Sequence, residues 1–227
     1  MKAGIHFSPG RDGRANVNLV PRLRGDDKQV KRVDIAIDAD GWASSSSQPV
    51  KRVPSPNHDQ RPEGVTPSLL VIHNISLPPG RFGGHAIEAL FSNTLDHDAH
   101  PYYATLRGLC VSSHFLIARD GALVQFVVCG LRAWHAGASS FEGRERCNDF
   151  SIGLELEGDD TGGFEHGQYA TLIALTDALA MRYPIEAVAG HSDIAPGRKT
   201  DPGPHFDWSF YLAKIHPGLH SPHFSTP

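Results

Sequence analysis

The segment Gly190-His191-Ser192-Asp193-Ile194-Ala195-Pro196-Gly197-Arg198-Lys199-Thr200-Asp201-Pro202-Gly203-Pro204 concentrates groups suited to metal chemistry. His191 and Asp201 offer an imidazole nitrogen and a carboxylate oxygen, both good zinc ligands, on a loop stiffened by three prolines. A catalytic zinc takes three protein ligands and keeps a fourth position for water. One more ligand and one general base must therefore come from elsewhere. Lys199 adds a cation able to face an oxyanion. Each residue also has a bland reading. A lone histidine is usually a hydrogen-bonded structural residue, and Lys199 alone would be a surface lysine. Asp201, held extended by the proline after it, would be a turn residue.

His73 is the candidate third ligand, because it closes the apolar run Ser68-Leu69-Leu70-Val71-Ile72 and so falls at a strand end. Glu155 is the candidate base. Phe150–Glu157 alternates, with Ile152, Leu154 and Leu156 on one face and both Glu155 and Glu157 on the other. Pattern alone leaves the choice between the two carboxylates open. Trp134-His135-Ala136-Gly137 reads either as core or as an aromatic platform for a sugar or peptide face.

Elements that could aim these residues are legible along the chain. Val33–Asp38 alternates like a short strand. Gly84–Leu95 carries Ile87, Leu90, Phe91 and Leu95 at helical spacing. His114–Ala118 and Leu123–Val128 flank an Asp120-Gly121 turn, the mark of a hairpin. Tyr169–Tyr183 predicts an amphipathic helix stopped by Pro184, Ala187–Gly190 a strand and Trp208–Ile215 a closing helix. Strands interleaved with helices predict an α/β (α+β) fold, a mixed sheet with helices packed against it. Residues 1 to about 48, rich in Gly, Arg, Asp and Ser, read as an appendage joined through Ser44–Ser47.

Composition bounds the partners. With 227 residues and a net charge of −4, the chain can bury a core but has no basic footprint, so neither nucleic acid nor an anionic membrane is expected. Three widely spaced cysteines suit neither a disulfide framework nor a thiolate zinc site. They fit a reducing compartment. No signal-peptide core and no apolar span is visible, which makes a cytoplasmic setting the expectation.

Longer segments carry a resemblance. Leu70–Gly80, Arg132–Gly137, Gly143–Gly158 and Gly190–Trp208 resemble the AmpD-type N-acetylmuramyl-L-alanine amidases. That family also includes phage-lysozyme-type amidases and peptidoglycan recognition proteins. The likeness runs from about Asp38 to about Tyr211. It implies a peptidoglycan-recognition-protein/amidase-like fold: a central mixed β-sheet flanked by helices. It implies His73, His191 and Asp201 as zinc ligands, Glu155 as the catalytic carboxylate and Lys199 as the cation at the transition state. Asn74, Trp134 and Arg146 fall on its substrate-contacting surface, while His114 and His135 remain structural or supporting. The implied reaction is hydrolysis of the amide between the lactyl group of 1,6-anhydro-N-acetylmuramic acid and L-alanine of the stem peptide, in muropeptide recycling. A monomer is expected, with a disordered extension over 1–32, an amidase domain over 33–216 and a tail over 217–227. One departure stands out: Cys110 occupies a position where close relatives often carry an arginine, which puts an anchor for the peptide in doubt. Two other functions compete, a peptidoglycan-binding module without turnover and an exported amidase acting on intact wall. The complete set of five site residues weighs against the first, and the absence of an export signal against the second.

Overall fold

The apolar run at Leu69–Ile72 lies at the heart of the sheet, and its side chains are excluded from solvent on both faces. Buried parallel strands read as continuous hydrophobic runs for that reason. The computed structural model describes residues 33–223, so the extension expected over 1–32 and the last four residues of the expected tail lie outside it. Six strands share the main sheet: β1 (Val50–Arg52), β2 (Leu69–Ile75), β3 (Phe115–Ile117), β4 (Leu123–Gln125), β5 (Ser151–Glu157) and β6 (Ala187–Gly190). Their order is β6-β2-β5-β3-β4-β1. All neighbours are parallel except the hairpin β3–β4, so the sheet is mixed, as expected.

The two faces of the sheet have different work. Leu70, Ile72, Ile152, Leu154 and Leu156 point to the face covered by the helix His166–Arg182, whose Leu172, Leu175 and Leu179 complete the largest core cluster. Full burial of each such side chain contributes about 1.5–3 kcal/mol. The opposite face carries Leu69, Val71 and His73 on β2 and Ser151, Gly153, Glu155 and Glu157 on β5. Two short helices, Ala86–Phe91 and His191–Ile194, and the loops around them cover this face, and its acidic residues lie toward the end at which β2 and β5 finish.

Several boundaries differ from the expectations. Helix His166–Arg182 begins three residues before Tyr169, where Gln168 Oε1 accepts from the Glu165 backbone N–H at 3.0 Å. It ends before Tyr183, in line with the restriction that Pro184 imposes on its predecessor. The helix expected over Gly84–Leu95 is only Ala86–Phe91, because Gly83 and Gly84 at φ 80° and 77° and Asn93 at φ 60° bracket it with left-handed backbone. The closing helix is Trp208–Leu212, started by Asp207, whose carboxylate accepts from the Phe210 N–H at 2.8 Å. Ser44–Ser47 is no loose joint: the backbone N–H groups of Ser46 and Ser47 close on the Asp34 carboxylate at 3.1 and 2.7 Å. The ribbon Ala36–Ile37/Ala43–Ser44 beside it buries Ala43 against the main core. At the other end, residues around Leu219 and His220 lie along β6, where His220 O accepts from Val188 N at 2.9 Å and covers part of the sheet edge.

Candidate active site

The parallel register of β2 and β5 pairs His73 with Glu155 directly. Equivalent positions on adjacent strands present their side chains to the same face, so the candidate ligand and the candidate base emerge side by side. The strand does not stop at His73, as the apolar run suggested. Pairing with β5 carries it to Ile75, leaving His73 2% exposed.

β6 runs into the short helix His191–Ile194, which places His191 at the same end of the sheet as His73. Gly190 then matters for its missing side chain: a Cβ there would lie 2.8 Å from Pro202 Cδ. This close approach, with the Ser192 N–H donating to Asp201 O at 2.9 Å, folds the loop back so that Asp201 meets His191. Arg198 pins the loop from outside, donating to Ala136 O at 2.8 Å and Ala138 O at 2.6 Å.

The result is a triangle. His73 Nδ1 lies 2.9 Å from His191 Nδ1 and 2.9 Å from Asp201 Oδ2, and the latter two atoms are 3.0 Å apart. His191 Nε2 faces the carbonyl of Ala136 at 3.2 Å. A carbonyl can only accept, so Nε2 carries a hydrogen and Nδ1 is the nitrogen turned into the triangle. Burial depresses the pKa of His73 to about 4, against the pull of Asp201. Burial opposes ionisation of Asp201 too, but the two imidazoles outweigh it and hold its carboxyl below the usual range. Two imidazole nitrogens and a carboxylate oxygen converge on one point, a donor set that suits a divalent cation. Tetrahedral zinc ligands at about 2.0–2.1 Å from the metal sit about 3.3 Å from one another, close to the separations of this triangle. His73, His191 and Asp201 are the one cluster of this kind among the described residues.

Glu155 stands beside the triangle, 7% exposed, and its Oε2 is buried without a hydrogen-bond partner. Burial, reinforced by the Asp201 charge, pushes its pKa well above the ordinary carboxylate value, while Lys199 pulls it back. Glu157 is equally buried but fully engaged. Its Oε1 accepts from Gly83 N at 2.5 Å and its Oε2 from Arg119 N at 3.0 Å, tying two loops to the strand. The two carboxylates that the sequence pattern left equivalent are thus different: Glu157 is consumed by structure and Glu155 is free.

One cavity is lined on its polar side by His73, Asn74, Trp134, Glu155, His191, Lys199 and Asp201, and on its apolar side by residues including Leu77, Tyr102, Leu106 and Leu109. Asn74 Nδ2 donates to Asp160 Oδ1 at 2.8 Å and to Pro202 O at 3.0 Å, so it also ties the ligand loop to the turn after β5. Trp134 is oriented by Asp59, whose Oδ1 accepts from Nε1 at 3.3 Å. Arg146 stands apart. It is a largely exposed side chain paired with Asp149 at 3.2 Å, on a neighbouring groove with Ser139, Pro196 and Arg198. Cys110 is exposed in an adjoining pocket with Leu95 and His97.

His114 is structural: Nδ1 accepts from Gly153 N and Nε2–H donates to Leu131 O, each at 3.0 Å, and burial lowers its pKa to about 3. Residues that the sequence reading passed over include Arg198, Asn148 and Arg61. Asn148 Oδ1 accepts from the N–H groups of His135 and Ala136 at 3.1 and 2.8 Å. Arg61 donates to the carbonyls of Asn148, Asp149, Cys129 and Ser151 at 2.8–3.2 Å. Nothing in their spacing marks them, because their partners are backbone groups well separated from them in sequence.

Comparison with known proteins agrees with this fold. Residues 63–204 match the family model described as N-acetylmuramoyl-L-alanine amidase. The chain is 56% identical over 183 residues to the 1,6-anhydro-N-acetylmuramyl-L-alanine amidase AmpD of Citrobacter freundii, covering 80% of this chain and 96% of that protein. It is 60% identical over 177 residues to AmpD of Escherichia coli K12, covering 77% and 94%. A crystal structure of a selenomethionine AmpD derivative superposes with a TM-score of 0.74 at 55% identity, over 79% of this chain and 99% of the other.

Proposed function

The chain belongs to the N-acetylmuramoyl-L-alanine amidase family, and on that premise we propose that it is a zinc-dependent enzyme cleaving the amide between the lactyl group of 1,6-anhydro-N-acetylmuramic acid and L-alanine of the stem peptide. The observation that carries this reading is the triangle of His73, His191 and Asp201 next to the unpartnered carboxylate oxygen of Glu155.

His73, His191 and Asp201 would hold the zinc. The chemistry zinc supplies when bound is Lewis acidity, which polarises an amide carbonyl and lowers the pKa of water to about 7. Glu155 takes a proton from the attacking water and returns it to the nitrogen of the departing L-alanine, a role that contributes about 10²–10⁴-fold. Its burial suits both halves of that task, because a raised pKa makes the protonated carboxyl a ready donor. Lys199 faces the negative charge that grows on the carbonyl oxygen. Trp134 offers an aromatic face to the sugar or peptide, Asn74 an amide at the cavity mouth and Arg146 an exposed guanidinium to the peptide's acidic end.

We place the enzyme in the cytoplasm, acting on fragments returned from the wall. Cys110, Cys129 and Cys147 are all free thiols, as a reducing compartment favours. Among the described residues no helix is long and apolar enough to cross a membrane. The test presents anhydro-muropeptide and intact peptidoglycan in parallel and follows free stem peptide by mass spectrometry. Preferential release from the soluble fragment supports recycling; preferential release from intact wall refutes it.

A further inference from the structure

Of the three residues in the triangle, Asp201 has the least regular support. His73 lies within β2 and His191 opens the helix His191–Ile194, whereas Asp201 sits in a turn outside any helix or strand. Its side chain is also the more open, 13% exposed against 2–3% for the two histidines. The contacts that fix the backbone of Asp201-Pro202-Gly203 therefore set where its carboxylate falls. One is the Ser192 N–H on Asp201 O at 2.9 Å, and another lies within the turn, where Gly203 N donates to Thr200 O at 3.0 Å. The approach of Gly190 to Pro202 limits the turn from one side only.

Asn74 and Asp160 supply the other hold. Asn74 Nδ2 lies 3.0 Å from Pro202 O and 2.8 Å from Asp160 Oδ1. Pro202 O is a peptide carbonyl and can only accept, so the amide nitrogen must face it, and that nitrogen's second hydrogen goes to Asp160. Both hydrogens of the Asn74 amide are thereby committed. Asp160 also packs against the next residue of the turn. A Cβ on Gly203, which has φ 85°, would lie 2.5 Å from Asp160 Oδ1 and 3.2 Å from Asp160 Cα. Asn74 adjoins His73 on β2, and Asp160 stands in the turn just after β5, the strand of Glu155. The pair thus references the loop of Asp201 to the two strands that carry the other ligand and the base.

We propose that Asn74 and Asp160 are positioning residues, a clamp that holds the Pro202 carbonyl and Gly203 and so delivers the Asp201 carboxylate to the two imidazoles. Its effect on metal affinity rests on the zinc reading above, but the order it imposes on the turn is present without metal. Partners that orient ligands typically change metal affinity by about 10–100-fold. A contact between Asn74 and substrate would instead alter KM and leave metal affinity alone.

The test uses the full chain, first without metal and then with zinc. Amide hydrogen exchange followed by NMR compares Ser192 and Gly203 with the amides of β2 and β5. In metal-free Asp160→Ala, Ser192 and Gly203 are expected to exchange about tenfold faster than in wild type, with the sheet unchanged. Zinc affinity is then read by competition with a chelating dye, and Asp160→Ala is expected to bind about 10–100-fold more weakly. Asp160→Asn keeps an oxygen for the Asn74 amide and is expected to recover most of both losses. Unchanged exchange at Ser192 and Gly203 in Asp160→Ala overturns the proposal, as does wild-type zinc affinity in that variant or an Asp160→Asn no better than Asp160→Ala. If Asp160→Ala does not fold, Asn74→Ala decides on the same two readouts. Turn amides that loosen as expected in a protein whose wild type binds no zinc would reject the zinc reading and leave the clamp standing.

Discussion

Glu155 and Glu157 are two residues apart on one face of one strand, equally hidden from solvent, and only their hydrogen bonds separate them. Glu155→Gln is expected to keep zinc and to lose about 10²–10⁴ in turnover, measured as stem-peptide release alongside metal content. The same substitution has a stability consequence in metal-free protein. The folded pKa of Glu155 is raised, so between the ordinary value of an unfolded glutamate and that higher value the native state binds the extra proton. Stability falls as pH rises through this window. Glu155→Gln should therefore melt at higher temperature than wild type at pH 8, and the difference should vanish below about pH 4. A variant that melts lower at pH 8 would contradict the burial argument. Lys199→Ala is expected to reduce turnover about 10²–10³-fold with zinc content unchanged. Wild-type kinetics would return Lys199 to an ordinary surface role.

Elements supply the precision that single residues lack. Glu157 joins the loop at Gly83 and the hairpin turn at Arg119 to β5, so Glu157→Gln strips a charged acceptor from a part-buried N–H. The expected cost is about 1–3 kcal/mol of stability with turnover within about tenfold of wild type, read by denaturant unfolding and by assay. Much at this scale was legible in sequence: the apolar run of β2, the alternation of β5, the Asp120-Gly121 hairpin and the stop at Pro184 each have a local cause. The lengths of the helices around Gly84 and Trp208 were less so, because left-handed backbone at Gly83, Gly84 and Asn93 overrides the apolar spacing. His73, His191 and Asp201 were found as ligand types near strand ends and on a stiff loop. Their meeting depends on strand register and on the close packing of Gly190 against Pro202, neither of which is a local signal. Arg61 and Arg198 were invisible for the same reason, since each acts through backbone carbonyls from distant segments.

At the scale of the whole molecule, the sheet divides its labour between faces. One is packed under the long helix, and the other leaves polar groups at the ends of β2, β5 and β6. Metal that binds only the folded arrangement must stabilise it, and zinc at about 1,000 times its Kd should add about 4 kcal/mol. Thermal melting with and without chelator measures this, and an unchanged midpoint would argue against a site assembled by folding. The most direct test of the account is stem-peptide release from 1,6-anhydro-N-acetylmuramyl peptide by zinc-loaded, metal-stripped and zinc-restored protein, followed by mass spectrometry. The account requires release by the loaded enzyme, its loss on stripping and its return with zinc. Undiminished release from fully metal-free protein, or none from the zinc-loaded form, would contradict it.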